Sequence, residues 1–258
     1  MTQRERGERF RALHAGEPFL IPNPWDAGSA RMLEALGFRA LATTSSGFAF
    51  THGRLDGDVT LDQVVEHVRV MCAATGLPVS VDLENGYGAA ADAITRVGEA
   101  GAVGGSIEDY DPDGGIVPVE AAAERVAAAV AAARAFDFPF VLTARAENHL
   151  HGVTDLDDTI ARLQAYEAAG ADVLYAPGLR EVDQVRAICS AVGRPVNVLG
   201  HAGFNLGELC EAGAQRVSVG GALTWVGVSA AADAAVALRD GDLSVLTARV
   251  PLGDWFAG

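Results

Sequence analysis

The sequence predicts an α/β fold and, within that class, a single (β/α)8 TIM barrel over residues 1–258. Three observations carry the prediction. Short β-rich runs alternate with longer alanine-rich helical runs from end to end. The chain has 258 residues, a length at which α/β barrels often stay undivided. Three of the predicted strands also run straight into charged residues. Barrels of this kind keep their sites there, at the carboxyl ends of parallel strands.

Taken in order, the strands fall at residues 19–21, 40–44, 79–82, 104–108, 140–144, 172–175, 196–199 and 216–219. Helical runs between them cover residues 30–36, 61–74, 89–100, 119–135, 159–168 and 182–192. Alanine and leucine at helical spacing favour these helices, and Gly37, Gly101 and Gly170 end three of them. Strand followed by helix, repeated along the chain, makes a closed barrel rather than an open sheet. The similar helix-to-strand joints at 99–102 and 167–172 reflect that repetition and not a solenoid. No linker-like stretch divides the chain. One loop stands out: residues 109–118, after the fourth strand, combine a glycine pair with two prolines and read as a hinged lid.

Half of the residues are hydrophobic and the formal net charge is -15. So acidic a chain suits neither nucleic acid nor an anionic membrane surface, both of which attract basic patches. A small anionic ligand stays open, because one arginine and a metal ion reverse the potential locally. All 19 basic residues are arginine, which excludes Schiff-base catalysis by lysine and a phosphate-loop lysine. Cys72, Cys189 and Cys210 are scattered without metal-ligand spacing and, with no signal peptide, point to a reducing cytoplasm. No apolar run reaches the roughly 18 residues expected of a membrane span. Arg4, Arg6, Arg9 and Arg11 are interleaved with acids and read as a solvated helix face.

The chemistry gathers at three strand ends. The third strand runs into Asp82-Leu83-Glu84, the fourth into Glu108-Asp109, and the fifth into Ala144-Arg145. Alternation along a strand sets Asp82 and Glu84 on one face, and likewise Ser106 and Glu108. Three carboxylates converging at one barrel mouth repel one another unless a cation or shared protons hold them, and hard oxygen ligands suit magnesium. Each acid alone reads equally well as a helix cap or a solvated loop acid. The set, with an arginine beside it, does not.

Several ordered motifs accompany these charges: residues 23–30 (Asn-Pro-Trp-Asp-Ala-Gly-Ser-Ala), 43–47 (Thr-Thr-Ser-Ser-Gly), 81–88 (Val-Asp-Leu-Glu-Asn-Gly-Tyr-Gly), Ile107-Glu108-Asp109 and Ala144-Arg145. Together they resemble the isocitrate lyase/phosphoenolpyruvate mutase superfamily, in its bacterial mutase-like branch, from about Asn23 to Leu223. The resemblance implies magnesium at the barrel mouth, with manganese as the alternative ion, and a 2-oxo acid handled through an enolate-like intermediate. It implies a homotetramer whose neighbouring subunits exchange the last barrel helix, with residues 225–258 serving that contact. Position by position, Asp82 is the closest metal ligand, and Glu84, Glu108 and Asp56 hold the ion mostly through its waters. Ser45, with backbone N–H groups near Ser46 and Gly47, receives the substrate carboxylate. Arg145 adds a charge-assisted contact, and Trp25 and Asp26 shape the pocket wall. For the last two, a core tryptophan and a helix N-cap are equally open readings.

The departures from the family narrow the chemistry. Members that cleave isocitrate-type substrates carry a cysteine in a Lys/Arg-x-Cys-Gly-His loop after the fourth strand, whereas mutases and phosphonopyruvate hydrolases carry a lysine there. Residues 109–118 contain no cysteine, histidine or lysine, and Ser106 stands where isocitrate-type members often have histidine. The expectation is a magnesium-dependent lyase of a 2-oxo dicarboxylic acid, by oxaloacetate-like decarboxylation or C–C cleavage. A C–C or C–P hydrolase, a mutase-like enzyme and a non-catalytic 2-oxo-acid binder are the alternatives. For proton transfer, His201 in the loop after the seventh strand ranks first; Tyr110, Tyr87, Glu147 and His52 follow.

Overall fold

A computed structural model describes residues 1–247 and 250–256. Its eight parallel strands are β1 (Phe19–Ile21), β2 (Leu41–Ala42), β3 (Val79–Asp82), β4 (Gly104–Glu108), β5 (Val141–Arg145), β6 (Val173–Tyr175), β7 (Val196–Leu199) and β8 (Arg216–Ser218). Consecutive strands pair from β2 round to β8, and β8 returns to β1. The Ala42 N–H donates to the Pro22 carbonyl at 3.1 Å, which joins β2 to the β1 edge. The barrel expected from the alternation is the fold found.

Helices accompany the strands: α1 (Gln3–Leu13), α2 (Ala27–Ala35), α3 (Ser45–Thr51), α4 (Leu61–Ala74), α5 (Ala90–Glu99), α6 (Val119–Arg134), α7 (Leu156–Ala168), α8 (Val182–Ala191), α9 (Leu206–Glu211), α10 (Ala222–Arg239) and α11 (Leu252–Phe256). Val81, Ile107, Leu142 and Leu174 pack outwards against Ile94, Val126, Leu163 and Ile188 in one buried core. Helix α1 (Gln3–Leu13) closes the amino-terminal end, burying Phe10 while Arg4, Arg9 and Arg11 stay in solvent. The barrel interior is unusual. Barrels of this kind ordinarily fill it with branched apolar side chains, but here Ser80, Thr143, Asn197, Arg216 and Ser218 are buried polar residues. That polarity leaves the interior able to continue the site downwards.

Three local expectations need correction, each with a physical cause. The second strand ends at Ala42 rather than residue 44, because Thr44 caps α3 (Ser45–Thr51) by accepting from the Gly47 N–H at 3.4 Å. That helix follows the strand directly, so the chain turns at Thr44. The loop at 109–118 is pinned rather than free. Tyr110–Asp111 pairs antiparallel with Gly115–Ile116, and both Asp111 oxygens accept from Arg125 at 3.1 and 2.9 Å. Asp109 does not belong to a lid at all. It is buried and accepts from the Glu147 N–H at 2.7 Å, Arg162 at 3.0 Å and the Tyr166 hydroxyl at 2.5 Å.

Helix α10 (Ala222–Arg239) departs furthest from a barrel helix. It has 18 residues with mean hydropathy 1.2, enough by length and composition to cross a membrane. Thr224, Ser229 and Asp233 interrupt it, so no unbroken apolar run announces it. Thr224 is its only buried residue among those described, and Val226 is 68% exposed. Helix α11 (Leu252–Phe256) packs against α2 (Ala27–Ala35) of the same chain, with the Arg31 guanidinium 5.5 Å from the Phe256 ring centre. Within the expected contact segment 225–258, α11 therefore meets its own chain, and residues 248, 249, 257 and 258 lie outside the described residues.

Candidate active site

A cavity of about 230 Å³ opens among the carboxyl ends of the strands, lined by Ser45, Ser46, Asp56, Asp82, Ser106 and Arg145. A larger hollow of about 700 Å³ lies at the other end of the barrel, against α1 and the joint before β5. Size does not select between them. The converging charges do, and they are at the smaller one.

Arg145 is the centre of the site. It ends β5 and is the register partner of Glu108 at the end of β4, so both side chains share a face. One terminal nitrogen donates to Asp82 Oδ1 at 2.6 Å; the other lies 2.7 Å from Glu147 Oε1 and 3.3 Å from Glu108 Oε2. Nε also donates to Glu147 Oε1, at 2.9 Å. The opposite oxygen of Asp82 accepts from the Ser45 hydroxyl at 3.1 Å and the Ser45 N–H at 3.4 Å. Helix α3 thus presents its first turn to the same carboxylate.

Glu84 reaches this cluster by a route that strand alternation does not describe. β3 ends at Asp82, and Glu84 and Tyr87 adopt left-handed φ values of 49° and 53°. Non-glycine residues rarely adopt this conformation, and it tends to be kept where function over-determines the backbone. Here the Tyr87 hydroxyl donates to Glu84 Oε1 at 2.9 Å. Tyr87 is therefore a positioning contact for an acid.

Five carboxylates (Asp56, Asp82, Glu84, Glu108 and Glu147) face one guanidinium, and the electrostatics show the imbalance. Burial, then the Asp82 charge, push Glu84 up to about 7. Burial pushes Glu108 up to about 8 against the attraction of Arg145, with Glu147 and Asp82 adding to the rise. Glu147 is likewise raised, mainly by burial. Asp56 reaches solvent on part of its surface, yet desolvation at the cavity mouth still raises it against a hydrogen bond from Ser45. Glutamates raised from 4.5 in this way favour the folded state fully below about pH 4.5, and that contribution is lost as pH rises through about 7 to 8. Metal-free protein should accordingly melt at a lower temperature at about pH 8.5 than at about pH 6, as read by thermal unfolding in matched ionic strength.

This charge deficit suits a hard divalent cation, although not in the tight triad expected. Among the described residues, no three His, Cys, Asp or Glu side chains group closely enough to hold an ion by direct bonds alone. The acids ring Arg145 instead of converging on one another. Magnesium dehydrates reluctantly and is commonly held by one or two carboxylates with several waters, so the wider ring fits an ion carried mostly on its own water shell.

The remaining expected residues divide clearly. Ser45 and Ser46 line the cavity, but Gly47 does not. A Cβ at Gly47 would stand 2.6 Å from Thr224 Oγ1 and 2.7 Å from Thr44 Cγ2, so glycine there serves close packing against α10. Trp25 backs that same contact rather than lining the cavity, and Asp26 is the N-cap of α2, accepting from the Ser29 N–H at 2.7 Å. His201 is the main correction. It faces a separate apolar depression with Leu20, Phe204 and Leu209, accepts from the Gly203 N–H at 3.0 Å, and contacts no cavity residue. The loop after β7 turns outward there, which position in the sequence alone did not reveal. His52 caps the end of α3 against Phe48. Tyr110 lies outside the cavity lining and stacks on His151, ring centres 3.5 Å apart. His151, itself 4.0 Å from Glu147, escaped the sequence reading because the loop after β5 carries no motif.

With the geometry in place, comparison with known proteins is decisive for the family. Residues 10–239 match the family model described as phosphoenolpyruvate phosphomutase. The chain belongs to the isocitrate lyase/phosphoenolpyruvate mutase superfamily. An oxaloacetate decarboxylase from Bradyrhizobium sp. is 36% identical over 230 residues, 85% of this chain and 79% of that protein. A 2-methylisocitrate lyase from Shewanella oneidensis is 34% identical over 236 residues, 84% of this chain and 79% of that one. A crystal structure from Burkholderia cenocepacia J2315, assigned provisionally as a lyase/mutase, superposes with TM-score 0.94 at 52% identity, covering 99% of this chain and 97% of its own. Lyase or mutase chemistry of this superfamily is the activity class these relatives support.

Proposed function

We propose that this superfamily member is a magnesium-dependent lyase that decarboxylates a small 2-oxo dicarboxylic acid of the oxaloacetate type. The observation that carries the proposal is Asp82, Glu108 and Glu147 gathered on one largely buried arginine at the barrel mouth, with Glu84 and Asp56 near enough to act on its charge, beside a hairpin without Cys, His or Lys. The similarity to an oxaloacetate decarboxylase supports the same reading. Asp82 would hold the ion most directly, with Glu84, Glu108 and Asp56 fixing its waters. When bound, the ion supplies a Lewis acid for charge developing on the substrate carbonyl oxygen. Ser45 and Arg145 orient the acid through a hydroxyl and a charge-assisted contact. Loss of carbon dioxide needs no general base, and water can protonate the enolate afterwards. Such chemistry tolerates a hairpin without Cys, His or Lys.

The hairpin's part is to exclude water. Alanine substitutions at Tyr110, Asp111 and Asp113 should each lower turnover by about tenfold at most in steady-state assays, since water exclusion is shared among them. Magnesium should raise the melting temperature more at about pH 8.5 than at about pH 6, because it binds the ionised acids.

We further propose a homotetramer in which α10 is exchanged between neighbours. An apolar groove of about 300 Å³ on the outer wall of β1 and β8, lined by Leu20, Leu206, Leu209 and Val217, supplies a place for a partner's helix. The three free cysteines are consistent with a cytoplasmic setting.

The proposal is tested by screening 2-oxo and 2-hydroxy diacids for turnover with and without magnesium, alongside calorimetric oxalate binding. Turnover lost to a chelator and restored by magnesium is expected. Magnesium-dependent binding with no turnover of any acid in the panel would mark a non-catalytic binder instead.

A further inference from the structure

A second arginine lies on the floor of the cavity, and among the described residues no carboxylate pairs with its charge. Arg216, the first residue of β8, is 5% exposed and lines the cavity beside Asn197 and Ser218. Its Nε donates to Asn197 Oδ1 at 2.8 Å and one terminal nitrogen to Thr143 Oγ1 at 3.0 Å, while the other meets His14 Nε2 at 3.2 Å. All three partners are neutral, for burial and Arg216 itself hold His14 down at about 3. Burial lowers Arg216 only to about 10, so it stays a cation, and Tyr175 offsets that lowering only in part. A guanidinium has five N–H donors, more than these contacts use. A buried charge is unfavourable unless a counter-charge accompanies it. Arg145 has three carboxylates for that purpose; Arg216 has an open cavity.

Strand register shows where an anion would lie. Asp82, Ser106 and Thr143 stand on one row across β3, β4 and β5. Because Arg216 reaches Thr143, its guanidinium sits at the level of Asp82, across the barrel interior. A carboxylate at this level meets Ser45 and the acid ring on one side and Arg216 on the other. A carboxylate held as an anion by arginine is stabilised against leaving as carbon dioxide, since the contact weakens as its charge departs. The group on Arg216 must then be one that stays on the product.

We propose that Arg216 is a second anion subsite that takes, from beneath, the carboxylate a 2-oxo diacid keeps when its other carboxylate leaves. The proposal rests on the function proposed above and adds an orientation: retained carboxylate towards the barrel floor, scissile bond towards the hairpin.

Oxalate, titrated by calorimetry into wild type, Arg216→Met and Arg216→Lys with and without magnesium, tests this directly. In Arg216→Met, magnesium affinity should be retained while oxalate affinity falls at least tenfold; Arg216→Lys should keep part of it. The ligand-free Met variant sheds an unpaired buried charge but leaves Asn197 and Thr143 short of a donor, so its melting curve serves as the control for folding. With oxaloacetate, KM should rise more than kcat falls, as expected for a contact shared by bound and transition states. Unchanged oxalate affinity in a folded Met variant would show a merely structural arginine and overturn the proposal. If that variant fails to fold, Arg216→Lys against Arg216→Gln decides: only the charged variant should retain affinity, and equal affinities would overturn the subsite. Oxalate binding that ignored magnesium yet fell tenfold in Arg216→Met would sink the metal cradle while supporting the subsite.

Discussion

Replacing Arg145 with alanine should lower kcat/KM by about 10²-fold or more. The guanidinium contacts Asp82, Glu108 and Glu147 together, so its removal loses more than one substrate contact. Three poorly solvated carboxylates would be left facing one another, and breaking buried pairs this way is commonly costly. The acids would answer by taking up protons, which disarms the metal cradle as well. The loss of stability should grow with pH, since the uncompensated acids are neutral at low pH and charged at high pH. Arg145→Lys should recover only part of the activity, because an ammonium is a point charge and cannot fork between three acids. Steady-state kinetics and melting curves at two pH values check both halves. A fall of less than tenfold would mean that Arg145 is only a structural counter-ion.

Asp82→Ala should abolish magnesium-dependent oxalate binding, whereas Asp56→Ala should weaken it less. Asp82 sits where β3, the first turn of α3 and Arg145 meet. Asp56 stands on the exposed loop beyond α3, lining the cavity near Ser45 without an ion pair to Arg145. One is placed to meet the ion, the other to meet its waters, and outer-shell contacts ordinarily matter less than direct ones. Asp82→Asn serves as the control, since it keeps a hydrogen-bonding oxygen but removes the charge. It should bind oxalate as poorly as the alanine variant. Calorimetry with unchanged magnesium-dependent binding in Asp82→Ala would remove the cradle from the account.

The barrel and the acid cluster were legible because each rests on a local signal. Alternating β-rich and alanine-rich runs specify strand and helix, and a charge directly after an apolar strand has few places to go except the barrel mouth. Glu84 was found for a reason that proved incomplete. Its place comes from a left-handed backbone and the Tyr87 hydroxyl, not from strand alternation. His201 was misplaced because the position of a loop in the sequence does not say which way it turns. Arg216 was passed over because a basic residue opening a strand normally reads as a solvated end; only the register of β5, β7 and β8 reveals that it points into the barrel. Helix α10 kept its outward face hidden for a related reason, since a sequence does not state which apolar helix lacks a neighbour.

The proposed reaction breaks the bond to a carboxylate with magnesium and without an acid or base from the hairpin. Product analysis on carbon-labelled oxaloacetate, followed by nuclear magnetic resonance with and without chelator, tests it most directly. Pyruvate and carbon dioxide in equal amounts, both suppressed by the chelator and restored by magnesium, are the predicted result. Oxalate and acetate as the products would contradict it, because they require a positioned water and a base that the account assigns to no residue.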